Sequence, residues 1–170
     1  MTELIVHALP AGDADPCAPT GRATVAEGRE PCRRCLRNAL PGEHLLLLPY
    51  DPFTVRSPYT GEGPVFLHAD GCEPHRAEPG ALPEQVDDVR TFSVRAYDDE
   101  AMMLGAEVVG GEALAERARA LLDDGAAFVH AHFAGPGCFA FRIDRADQLR
   151  LGGEATSRAP TRHRVQLVLV

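Results

Sequence analysis

The chain has 170 residues, 45% apolar and 25% charged, with 16 Gly and 14 Pro, a composition that fits one globular domain with long irregular connections. Its 25 acidic side chains outweigh 17 basic ones to give a net charge of −8, which argues against general nucleic-acid binding because a phosphate backbone is repelled. All 17 basic residues are Arg, which removes lysine Schiff-base and P-loop chemistry, and Ser57, Ser93 and Ser157 all lie outside any G-x-S-x-G elbow.

The first residues, M-T-E-L-I-V-H, carry an acid where a signal peptide needs positive charge, and no apolar run approaches the roughly 20 residues of a membrane span. The expectation is a cytoplasmic protein with no membrane partner. Five Cys in a reducing compartment then read as metal ligands, a reactive thiol or buried small hydrophobes rather than a disulfide framework.

In chain order, Glu3 to Leu9 is a short strand stopped by Pro10, and residues 10–31, rich in Gly, Pro, Asp and Ala, read as a loop open to motion. Cys32 to Leu40 forms a turn or knuckle before Pro41-Gly42. His44 to Tyr50, H-L-L-L-L-P-Y, has the length and continuous apolarity of a central strand buried on both faces. After a Pro- and aromatic-rich loop, Pro64 to Leu67 is a strand that delivers His68, and 69–83 is again loop, carrying Cys72 and His75. Arg90 to Ala96 alternates as a half-buried strand, Asp98-Asp99 turns the chain, and Met102 to Val109 is the next strand.

Glu112 to Asp124 is the main helix: Leu114, Ala118, Leu121 and Leu122 recur at helical spacing and Gly125 stands as terminator. Ala126 to Ile143 reads as a hairpin around A-G-P-G. If Phe133 pairs with Cys138, then Phe128, His130, His132, Phe139, Phe141 and Ile143 share one face. Residues 152–162 read as loop and Val165 to Val170 as a closing strand, and the only locally basic step, Arg162-His163-Arg164, reads as solvated surface. The pattern as a whole predicts a single α+β domain over 1–170, mostly antiparallel sheet, with partial closure into a barrel as a variant of it and one main helix packed on the sheet.

Three constellations carry chemistry. In the first, Cys32-x-x-Cys35 is followed by His68-x3-Cys72-x2-His75, two ligand pairs that can meet on one tetrahedral zinc, with a histidine to spare. Unlinked thiols, or a Cys32–Cys35 redox dithiol, use the same residues, and Arg33 and Arg34 between the cysteines favour thiolates in either case. In the second, His130 and His132 project from the same side of a strand, as metal-binding pairs do, although the glutamate that a cupin places downstream is missing; a hydrogen-bonded core pair is the alternative. The third is polar: Tyr50, Asp51, Tyr59, Arg142 and Asp144 can line a pocket, or Arg142 and Asp144 can form a surface ion pair.

The blocks P-C-R-R-C-L with P-G-E-H-L-L-L-L, S-P-Y-T-G-E-G-P-V-F-L-H-A-D-G-C, and F-V-H-A-H-F-A-G-P-G-C-F-A-F-R-I-D-R-A together resemble the bacterial domain-of-unknown-function family 1203, from Pro31 to Ala146. The resemblance implies counterparts of Cys32, Cys35, His68 and Cys72 and so favours these four over His75. It implies no catalytic role, and at the position of His132 the family pattern often holds another residue. The function expected is therefore a cytosolic protein with a Cys/His zinc site that is structural, with a thiol-based redox enzyme or a module that binds a small molecule or a partner as alternatives. No reaction, substrate or oligomeric state follows from the sequence.

Overall fold

The structure, a computed structural model, describes residues 2–10, 12–15, 17–87 and 90–147. The expected loop over 152–162, the closing strand Val165 to Val170 and the Arg162-His163-Arg164 step lie outside the described residues.

The described chain forms strands β1 (Leu4–His7), β2 (Arg22–Val25), β3 (His44–Tyr50), β4 (Gly63–His68), β5 (Thr91–Tyr97) and β6 (Met103–Gly110). The helix α1 (Gly111–Asp123) and strands β7 (Phe128–Phe133) and β8 (Phe139–Arg145) follow. One sheet has the order β1-β8-β7-β5-β6 and the other β2-β3-β4, and every strand pairing in both is antiparallel. The predicted α+β class with a mostly antiparallel sheet and one main helix stands, and among the described residues the strands make two open sheets and no closed barrel.

The helix lies on the larger sheet because Gly111, Leu114, Ala118 and Leu122 form one buried stripe. That stripe meets Phe92, Val94, Val129, Ala131, Phe141 and Ile143, all fully buried, in the main core. Covering a leucine such as Leu122 in this way contributes about 1.5–3 kcal/mol. The start of the helix needs glycine at 111, since a Cβ there would stand 2.1 Å from the Asp87 carbonyl oxygen. Its end is a Schellman turn: Gly125, at φ 105°, donates to the Leu122 carbonyl and Ala126 donates to that of Leu121.

Two details depart from expectation. Arg22–Val25, read as loop, pairs with Leu47 to His44 as the edge strand β2; all four of its residues are exposed, so it has no apolar alternation to announce it. The hairpin does close with Phe133 donating to the Cys138 carbonyl, but a bulge follows: His132 faces Phe139 while Ala131 faces Phe141, leaving Ala140 as the extra residue. That one-residue slip turns Phe141 and Ile143 to the helix side and sets Arg142 opposite His130.

β3 is the central strand of its sheet as predicted, with Leu45 and Leu48 fully buried and Leu46 and Leu47 only half covered. β4 brings the smaller sheet alongside β8, and the Tyr50 and Phe139 rings meet at 5.8 Å.

Candidate metal centre

The site is assembled at the end of β4. Cys32 forms a parallel bridge with Phe66, and the Arg33 amide donates to the Phe66 carbonyl at 2.9 Å, which lays the Cys-x-x-Cys loop against that strand. The loop closes on itself through Leu36 N–H to Cys32 O at 3.1 Å and Cys32 N–H to Arg37 O at 3.0 Å, with Leu36 at φ 54°. His68 lies two residues beyond Phe66 and so projects to the same side. A turn through Gly71, at φ 83°, then folds Cys72 back over the loop.

The outcome is a cluster of Cys32, Cys35, His68 and Cys72 whose ligand atoms all lie within 4.8 Å of one another, a group that can hold a metal ion. Cys32 Sγ is 3.8 Å from Cys72 Sγ, and Cys35 Sγ is 3.7 Å from His68 Nδ1. The other ring nitrogen of His68, Nε2, stands 3.1 Å from Glu43 Oε2, which orients the ring and leaves Nδ1 toward the thiols. Cys32 and Cys35 are buried and Cys72 is half-buried.

Charge is unevenly distributed among the thiols. A hydrogen bond from Cys35, together with backbone amides of Cys35, Arg34 and His68, outweighs burial and holds the Cys32 thiol down at about 4. Cys35 is pushed up because it gives that hydrogen bond and is itself buried, and burial beside the Cys32 charge raises Cys72. Of the three thiols, Cys32 is therefore the readiest to ionise.

One residue that the sequence did not single out holds the loop in place. Gln85, fully buried, donates through Nε2 to the carbonyls of Cys32 at 2.8 Å and Arg37 at 3.1 Å. A lone glutamine in a Pro-rich loop gave no signal of this. Arg33, expected to act on the neighbouring thiols, turns its guanidinium away to bond the Phe139 carbonyl at 2.7 Å and Cys138 Sγ at 2.9 Å.

The remaining candidates lie elsewhere. His75 is tied to the knuckle by its amide, which donates to the Arg34 carbonyl at 2.8 Å, but it is outside the cluster. His130 and His132 do share a face of β7, with ring centroids 6.2 Å apart, among Phe53, Tyr97, Phe128 and Phe139. Burial keeps both neutral, depressing His130 to about 3 and His132 to about 4. Among the described residues they belong to no group of three or more metal-ligating side chains. The polar constellation divides: Arg142 and Asp144 form an ion pair at 2.8 Å, with His7 Nε2 3.2 Å from Asp144, whereas Tyr50 and Tyr59 line a separate cavity of about 220 Å³ beside His132 and Arg95. No helix among the described residues is long and apolar enough to cross a membrane.

A family model described as "Protein of unknown function (DUF1203)" matches residues 29–145, a span that contains all four residues of the cluster. No curated protein and no solved structure matches the chain.

Proposed function

The chain belongs to the DUF1203 family, whose description names no activity, and from the geometry of the cluster we propose that it is a zinc-binding protein in which Cys32, Cys35, His68 and Cys72 are the ligands. The observation that carries this reading is the 3.8 Å separation of Cys32 Sγ and Cys72 Sγ. Two sulfurs at the usual zinc–sulfur length of about 2.3 Å on a tetrahedron stand about 3.8 Å apart, and a sulfur and an imidazole nitrogen about 3.6 Å. The Cys35–His68 separation of 3.7 Å agrees. Three thiolates and one imidazole form a soft donor set that suits zinc rather than magnesium or calcium.

Four protein ligands close a tetrahedron and leave no position for water, so the ion is structural. It ties the Cys32–Cys35 knuckle to the end of β4 and to the turn after it, a region built largely from loop. Five free cysteines accord with a reducing, cytoplasmic setting.

The low-lying Cys32 thiol favours a second reading, a redox dithiol of Cys32 and Cys35. The two readings separate in the Cys72→Ser variant. Competition against a chromophoric zinc chelator should show a loss of affinity of 100-fold or more if Cys72 is a ligand. Unchanged zinc affinity with a reversible Cys32–Cys35 disulfide would favour the dithiol.

A further inference from the structure

Beyond the metal reading, the structure points to a second site, and we propose that the cavity of about 530 Å³ between β3–β4 and the β7–β8 turn binds a small organic anion, a carboxylate or phosphate head on an apolar body. Its volume lies in the range of small-molecule sites. Three of the residues lining it are cationic, Arg29, Arg33 and Arg90, and among the described residues that line it none is acidic. In a chain of net charge −8 this is a local reversal of sign, and a concave, partly apolar wall concentrates its field on an incoming anion.

Arg33 is the centre of the argument. It is 1% exposed, yet its three bonds run to the Phe139 carbonyl, the Pro31 carbonyl and Cys138 Sγ, none of them a carboxylate. No ion pair among the described residues includes it. A guanidinium carries five N–H donors, so donors are left over once these bonds are made, and the groups that favour its charge are the Cys138 and Cys32 thiols rather than a carboxylate. The Arg90 guanidinium carbon lies 5.0 Å from the Phe133 ring centroid and that of Arg33 lies 4.9 Å from the same ring, which brings two guanidinium groups to one wall, Arg90 being also paired with Asp87 at 3.7 Å. The planar fork of arginine fits the oxygens of carboxylate and phosphate alike. Phe66 and Phe133 supply the apolar surface for the rest of the ligand.

The test is calorimetric titration of the full chain with benzoate, phenyl phosphate and neutral benzamide. At least one anion should bind at least ten-fold more tightly than benzamide, and the stronger of the two identifies the head group. Arg29→Gln and Arg90→Gln, at the more open side of the cavity, should each weaken that anion about ten-fold, and the bound anion should slow alkylation of Cys138 by iodoacetamide. These variants are used because Arg33→Met also removes the bonds to Phe139, Pro31 and Cys138 that tie the loop to the sheet. No binding by either anion, or binding of benzamide as tight as theirs, would overturn the proposal. Zinc content measured on the same samples keeps the two readings apart: anion binding without zinc leaves this site standing, and zinc without anion binding removes this site alone.

Discussion

His68 and Glu43 meet through Nε2 and Oε2 at 3.1 Å, and this contact sets which nitrogen of the ring is free to face the three cysteines. Glu43 Oε2 also accepts from the Leu40 amide at 2.7 Å, so its carboxylate is fixed by the turn before β3 rather than by the histidine alone. A ligating imidazole backed by a carboxylate is more basic and better oriented. Glu43→Gln keeps the shape and removes the charge, and zinc affinity measured by chelator competition should fall about ten-fold while the far-UV circular dichroism stays the same. Unchanged affinity would mean that the contact is incidental.

Zinc binding should release protons. Cys32 is held down at about 4 and brings none at neutral pH, whereas Cys35 and Cys72 are raised above the ordinary thiol value and must each lose one. Calorimetry at pH 7.5 in buffers of different ionisation enthalpy should therefore show about two protons released per ion, with affinity rising as pH rises. Release near zero would contradict three thiolate ligands.

The buried histidine pair predicts a different pH dependence, one that persists without metal. His130, at about 3, and His132, at about 4, lie below their unfolded value because burial disfavours the charged ring. As pH falls below about 6.5 the unfolded chain takes up protons first, so stability is complete above that pH and is lost between there and the folded values, about 4 for His132 and about 3 for His130. Each histidine then changes the folded-to-unfolded ratio by up to about ten-fold per pH unit. Urea unfolding of the metal-free chain at pH 7.5 and pH 5 should show a smaller acid loss in His130→Leu than in the parent. Parallel losses would show that His130 contributes nothing to it.

Phe141 reports on the bulge at Ala140. It is fully buried, and its ring packs 6.0 Å from that of Phe92 in the core beneath the helix. Phe141→Ala should cost about 3–5 kcal/mol in urea unfolding, the figure for a large aromatic removed from a filled core. A cost below about 1 kcal/mol would be inconsistent with that position.

How much of this was legible depends on what each residue does. β5 and the helix announced themselves because Phe92 and Val94, and Leu114, Ala118 and Leu122, are buried at the periods of their elements, and β3 did so by its continuous apolar run. β2 did not, because Arg22–Val25 is held by pairing to β3 and buries no side chain. The bulge was hidden because no glycine marks it; Ala140 fits the alternating pattern and breaks the register without changing the sequence signal.

The four residues of the cluster were legible as residue types at suggestive spacings, while their meeting was not. It depends on the Cys32–Phe66 bridge and on Gln85 reaching the Cys32 and Arg37 carbonyls, contacts between segments far apart in the chain. Arg33 was read from its two cysteine neighbours, yet its side chain is long enough to leave them and reach Phe139 and Cys138 on the other sheet.

The most direct test is the metal content of the untagged protein, purified without added metal and dialysed, measured beside Cys35→Ser by elemental analysis. The account predicts about one zinc per parent chain and little or none in the variant. Parent protein without metal, or a variant that retains a full equivalent, would contradict it.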